Sequence, residues 1–107
     1  MNKEILILFS RKGCCLCESL EKKLLNISLT SLNPPIVLSV LDIDSKEVSE
    51  DLRIKYSNEV PVMVIDSINL SKTIQFPRVS PRLKEDLLLS WIQKNLNIFF
   101  KLSKGNY

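Results

Sequence analysis

Three cysteines fall within four positions, Cys14, Cys15 and Cys17, in the stretch Ser10-Arg11-Lys12-Gly13-Cys14-Cys15-Leu16-Cys17. Cys14 and Cys17 are three residues apart, close to one helical turn, so their sulfurs can close a disulfide. The stretch follows a continuous apolar run, Ile5 to Phe9, and leads into a leucine pattern of helical type. It therefore sits where a strand turns into a helix. The first turn of a helix has backbone N–H groups without intrahelical partners and carries partial positive charge, which stabilises a thiolate. The chemistry indicated is a dithiol that switches between oxidised and reduced forms. Cys17 shares its helix face with Leu20 and Leu24, whereas Cys15 is in register with Ser19 and Lys22 and faces outwards. A bridge between adjacent cysteines would strain the peptide between them, so the favoured disulfide is Cys14–Cys17. Arg11 and Lys12 are cations beside this site, with Lys12 and Cys15 in accessory positions.

The elements that must position these thiols follow from the patterning. Glu4 to Phe9 reads as a buried strand, apolar on both faces. Cys14 to Asn26 reads as a helix with Leu16, Leu20, Leu24 and Ile27 on its inner stripe. Asn33-Pro34-Pro35 ends the connection, and Ile36 to Ile43 is a β-branched strand. Two strands joined through a helix make a right-handed, parallel unit. Asp44-Ser45-Lys46-Glu47 has the form of a capping box, with a short helix to Tyr56 burying Val48, Leu52 and Tyr56. Glu59 to Asp66 is a strand opened by Pro61, and Leu70 to Phe76 returns as a hairpin partner, with turn residues at Asp66-Ser67 and Asn69. Ser80-Pro81 has the form of a helix start, with Leu83, Leu87, Leu88, Trp91 and Ile92 as the buried stripe of a last helix. Ile98-Phe99-Phe100 continues that helix or folds back on the sheet. The order is β-α-β-α-β-β-α, an α/β architecture with a four-stranded mixed sheet and helices on both faces.

The 107 residues suggest one domain, 1–107, with a core over about 3–96 and no repeats, linkers or low-complexity segments. The net charge of +3, without a basic tract, argues against nucleic acid and favours at most a mildly anionic small partner. The absence of histidine removes the usual general base and the commonest metal ligand. No apolar run approaches a membrane span, and the start lacks a signal-peptide pattern, so the expected location is the cytoplasm. In that reducing compartment a tight cysteine cluster reads as redox-active or metal-binding.

This order, with Cys-X-X-Cys at the first strand-to-helix turn and Val60-Pro61 opening the third strand, resembles the thioredoxin fold in its small, glutaredoxin-like form. More closely, the chain resembles a glutaredoxin-like family of small bacterial proteins, many of which carry Cys-His-Leu-Cys. The matching positions here are Cys14-Cys15-Leu16-Cys17, Asp42-Ile43-Asp44, Val60-Pro61-Val62 and Phe76-Pro77, with a cysteine in place of the histidine. The resemblance implies that Cys14 attacks, that Cys17 resolves, and that Pro61 is cis and faces the dithiol. It gives the backbone of Val60 the task of pairing with an extended substrate. It places Arg11 where glutaredoxins have a basic residue that favours the thiolate and the carboxylates of glutathione. The implied activity is thiol–disulfide exchange by a monomer, with a disulfide-containing protein or glutathione as partner and no organic cofactor. Gly13 and Leu8 stand where thioredoxins have a tryptophan and a buried acid, and the glutathione clamp of glutaredoxins is incomplete, with Ser80-Pro81-Arg82 at the last helix start.

Two other readings stay open. Three thiols could hold zinc, Cu(I) or an iron–sulfur cluster between two subunits, with outside ligands completing the set. A thioredoxin-fold interaction protein without turnover would use the same scaffold.

Overall fold

The computed structural model describes residues 4–67, 71–80 and 82–104. In chain order these form β1 (Glu4–Ser10), α1 (Cys15–Asn26), a 3-10 turn (Leu29–Ser31), β2 (Ile36–Asp42), α2 (Glu50–Tyr56), β3 (Val62–Ser67), β4 (Lys72–Gln75) and α3 (Glu85–Lys104). One sheet has the order β2-β1-β3-β4. β1 and β2 run parallel from Glu4↔Ile36 to Ser10↔Asp42. β3 lies antiparallel to β1, from Ile5↔Asp66 to Phe9↔Val62, and β4 closes an antiparallel hairpin with β3.

β1 and β3 are apolar on both sides because both sides are covered. Leu6, Leu8, Met63 and Ile65 pack with Leu20 and Leu24 of α1 and Leu88, Ile92, Leu96 and Phe99 of α3. Phe9, Val62 and Val64 point the other way, into a smaller cluster with Ile43, Val48 and Tyr56 of α2. Phe9 and Tyr56 lie 5.3 Å apart, ring to ring, within the range of favourable aromatic pairs. The β-α-β-α-β-β-α order, the mixed four-stranded sheet and helices on both faces are thus as expected, and the order of elements is that of a thioredoxin-like fold. Ile98-Phe99-Phe100 continues α3, with Phe99 buried and Ile98 exposed.

Several local expectations are corrected. Asp44 does not cap a helix with Glu47 reaching back. Its backbone N–H is held by the Asp42 carboxylate at 2.9 Å and its own carboxylate is engaged by Arg11, so 43–48 forms turns. Ser49 caps α2 instead, its hydroxyl accepting the Leu52 N–H at 3.3 Å, and Leu52 stays exposed. Arg53 holds the preceding turns in place by donating to the carbonyls of Ile43, Ser45 and Val48.

The last helix begins at Glu85, five residues beyond Ser80. Ser80 makes only an isolated turn, accepting the Arg82 N–H with its hydroxyl and the Leu83 N–H with its carbonyl. That turn does not propagate: the Leu83 carbonyl is held by Lys23 Nζ at 2.9 Å, and the bond from the Leu88 N–H to the Lys84 carbonyl opens α3. Leu83 therefore lies in the loop, and Leu87, expected in the buried stripe, is exposed. Leu16 is likewise 47% exposed rather than part of the inner stripe of α1. Pro81 and Asn69 lie outside the described residues.

Candidate active site

The Cys-X-X-Cys stretch is held by three devices. First, the chain leaves β1 and turns at Arg11, whose carbonyl accepts the Cys14 N–H at 3.1 Å. Gly13 completes this turn with φ +80°, the left-handed region that costs an L-residue with a side chain. A Cβ at Gly13 would meet nothing within 4 Å, so backbone conformation, not space, calls for glycine there.

Second, Cys14 is the N-cap of α1. Its sulfur accepts the Cys17 N–H at 3.2 Å and its carbonyl accepts the Glu18 N–H at 3.0 Å. The sulfur thus occupies the place a serine or aspartate oxygen takes at a helix start, facing otherwise unpaired donors. Third, Cys17 is anchored on the inner face of α1, 1% exposed, between β1 and the leucines that follow it. Cys14 and Cys17 form a disulfide, with Cα atoms 5.2 Å apart. Cys14 is half-buried, so the more accessible sulfur is the N-terminal one. Cys15 is a free thiol on the exposed side of the helix, as its register required. Among the described residues, no three cysteine or carboxylate side chains converge as a metal ion would need.

Val60-Pro61 is a cis peptide, as the resemblance implied, and Asn33-Pro34 is a second one that the sequence reading did not anticipate. Pro61 shares a groove with Leu16, one of the two residues between the bridged cysteines. Val60 is half-buried against the α2-side cluster.

Arg11 is bound more closely than the sequence suggested. Its Nε and Nη2 donate to the two carboxylate oxygens of Asp44 at 2.8 and 3.1 Å, a bidentate pair. Nη1 and Nη2 also donate to the carbonyl and hydroxyl of Ser57, at 2.9 and 2.8 Å. The hydrogen bond from Arg11 holds the Asp44 carboxyl below its ordinary range, and the same bond raises the guanidinium further above its own. Arg11 therefore ties the loop before Cys14 to the ends of β2 and α2. Lys12 is exposed, and lines a shallow cleft with Arg11, Cys17 and Asp42.

Sequence reasoning missed the partners of Arg11, and also Lys23 and Arg78. Lys23 Nζ holds the Leu83 carbonyl, and Arg78 Nη1 donates to the Glu59 carbonyl at 3.1 Å. These contacts span 33, 60 and 19 positions, beyond the reach of any local pattern.

Comparison with known proteins gives three findings. The family model described as Glutaredoxin-like domain (DUF836) matches residues 5–93. No curated protein matches the chain significantly. Two solved structures are similar. One, described as the structure of a malarial protein, is 22% identical, with 89% of this chain and 99% of that chain covered and a TM-score of 0.57. The other, a structural genomics target protein from X. campestris, is 18% identical over 83% of this chain and 96% of that chain, with a TM-score of 0.46. The first of these supports the fold.

Proposed function

The chain belongs to the glutaredoxin-like domain family, and from that premise we propose that it is a thiol–disulfide oxidoreductase working through Cys14 and Cys17. The observation that carries the reading is the Cys14–Cys17 disulfide with Cys14 as the half-buried cap of α1 and Cys17 buried behind it. In the reduced protein the Cys14 thiolate is favoured by the Cys17 N–H and the helix start. It attacks one sulfur of a substrate disulfide. A bond forms between Cys14 Sγ and that sulfur, the substrate S–S bond breaks, and the departing thiolate takes a proton from water. Cys17, its proton passed to water, then attacks Cys14 Sγ, the mixed-disulfide bond breaks, and the second substrate sulfur leaves as a thiolate that takes up a proton from water. Two electrons pass from the dithiol to the substrate, and a thiol reductant, glutathione or a reductase, restores the dithiol.

Pro61 and Val60 flank the dithiol as the edge along which an extended substrate backbone would pair. Arg11 acts by fixing the loop that presents Cys14, and Lys12 adds positive charge at its rim. No organic cofactor is required. A dithiol of this kind suits a reducing compartment such as the cytoplasm, and among the described residues no helix is long and apolar enough to cross a membrane.

The test is a trap. A Cys17→Ser variant cannot resolve the mixed disulfide, so its substrate should stay bound to Cys14 through a bond cleaved by dithiothreitol. A Cys17→Ser protein that accumulates no such adduct in a thiol-blocked extract, and a reduced wild type that leaves small disulfides untouched, would end the redox reading.

A further inference from the structure

The stretch expected to enter a helix at Ser80 instead passes beside α1 without regular helix or strand over residues 76–80 and 82–84. A groove results between it and α1. Its apolar walls are Leu16, Pro61, Val79 and Leu83, and its two charged lining residues are Lys23 and Arg78, with no carboxylate among them. Leu16 is 47% exposed although it stands between the two cysteines, so apolar surface is presented to solvent beside the disulfide itself.

The groove is braced on three sides. Lys23 Nζ holds the Leu83 carbonyl, Asn26 Nδ2 donates to the Glu85 carboxylate at 3.2 Å, and Arg78 joins the segment to the Glu59 carbonyl, two residues before Pro61. One guanidinium N–H serves that carbonyl, and the group has five. A preformed apolar recess with two cations in its lining is a recognition site for a chain that is apolar and anionic at neighbouring positions. Glutathione supplies carboxylates but has no aliphatic side chain for the recess.

We propose that this groove selects polypeptide disulfides. It receives an aliphatic side chain flanking the substrate cysteine, while Arg78 and Lys23 attract an acidic residue of the same segment. The proposal rests on the redox reading above and names its substrate class.

The test uses two peptides of equal length, one with Leu and Asp flanking its cysteine and one with Ser and Lys. Each is examined as a disulfide for kcat/KM with the reduced protein, beside glutathione disulfide. Each is also examined with Ser in place of its cysteine, for binding to the oxidised protein by amide chemical shifts. The Leu-Asp peptide should be preferred by about tenfold or more in both readouts, the scale on which an apolar pocket discriminates. Its shifts should centre on Leu16 and Leu83. Ser19→Phe, on the exposed rim of the groove, should lower the Leu-Asp to glutathione ratio by about tenfold. Arg78→Gln should erase the part of the preference due to Asp. Equal binding of the two peptides, or shifts elsewhere, would overturn the proposal even where disulfides are reduced briskly. Discriminating binding by a protein that reduces no disulfide would keep the groove and remove the redox reading instead.

Discussion

Reduction of the Cys14–Cys17 bridge releases two thiols beside the free Cys15, all three in different surroundings, and limited alkylation should tell them apart. The Cys14 sulfur accepts the Cys17 N–H at 3.2 Å at the first turn of α1. A negative charge at a helix start is stabilised by about 0.3–1 kcal/mol when exposed and up to ~2 kcal/mol when partly buried. Cys14 is half-buried, so about 1.4 kcal/mol is a fair central value, equivalent to about a tenfold larger thiolate population near neutral pH. A less basic thiolate is also a poorer nucleophile, with a Brønsted coefficient of about 0.4–0.5, which returns roughly a factor of three of that gain. The net expectation is alkylation of Cys14 about three- to fourfold faster in the native protein than in the urea-unfolded chain. Cys17 behaves oppositely. At 1% exposure it must wait for local opening of α1, so its native rate should fall below its unfolded rate by about tenfold or more. The assay is a time course with limiting iodoacetamide at neutral pH, with and without urea, read by peptide mass mapping. Native Cys17 reacting as fast as native Cys14, or Cys14 reacting no faster folded than unfolded, would refute the assigned roles.

Two further outcomes are expected. Cys15→Ser should retain the Cys14–Cys17 bridge in peptide maps and keep disulfide turnover within about twofold, whereas Cys14→Ser should abolish it, because the Cys15 thiol lies on the exposed side of α1. A dominant bridge to Cys15 would instead move weight to a three-thiol site. Asp44→Asn should lower stability at neutral pH by weakening the bidentate hold on Arg11. Because the folded-state Asp44 carboxyl titrates below its unfolded value, that contribution is complete above about pH 5 and fades as the pH falls below about 4. Urea midpoints of wild type and variant should therefore converge in acid, and a gap that widens there would contradict the assignment.

The sequence by itself determined whatever depends on near neighbours in the chain. The helical register set Cys17 with Leu20 and Leu24 and turned Cys15 outwards, and both dispositions hold because a helix fixes its faces over a few residues. The apolar runs of β1 and β3 were legible for a similar reason, since strands covered on both faces cannot alternate with polar residues. Tertiary structure decided the competitions between local signals of comparable strength. A helix cap contributes about 1 kcal/mol, so Asp44 could be drawn away from capping by a charge-assisted pair with Arg11, 33 positions distant. The turn at Ser80 likewise stops at Leu83, whose carbonyl is held by a lysine 60 positions away. Both failures of local reading flank the disulfide, one bracing the loop before Cys14 and the other opening the groove beside Leu16. Contacts across such separations leave no periodicity or motif in the sequence. They exist only once β1, α1 and the sheet have brought the partners together.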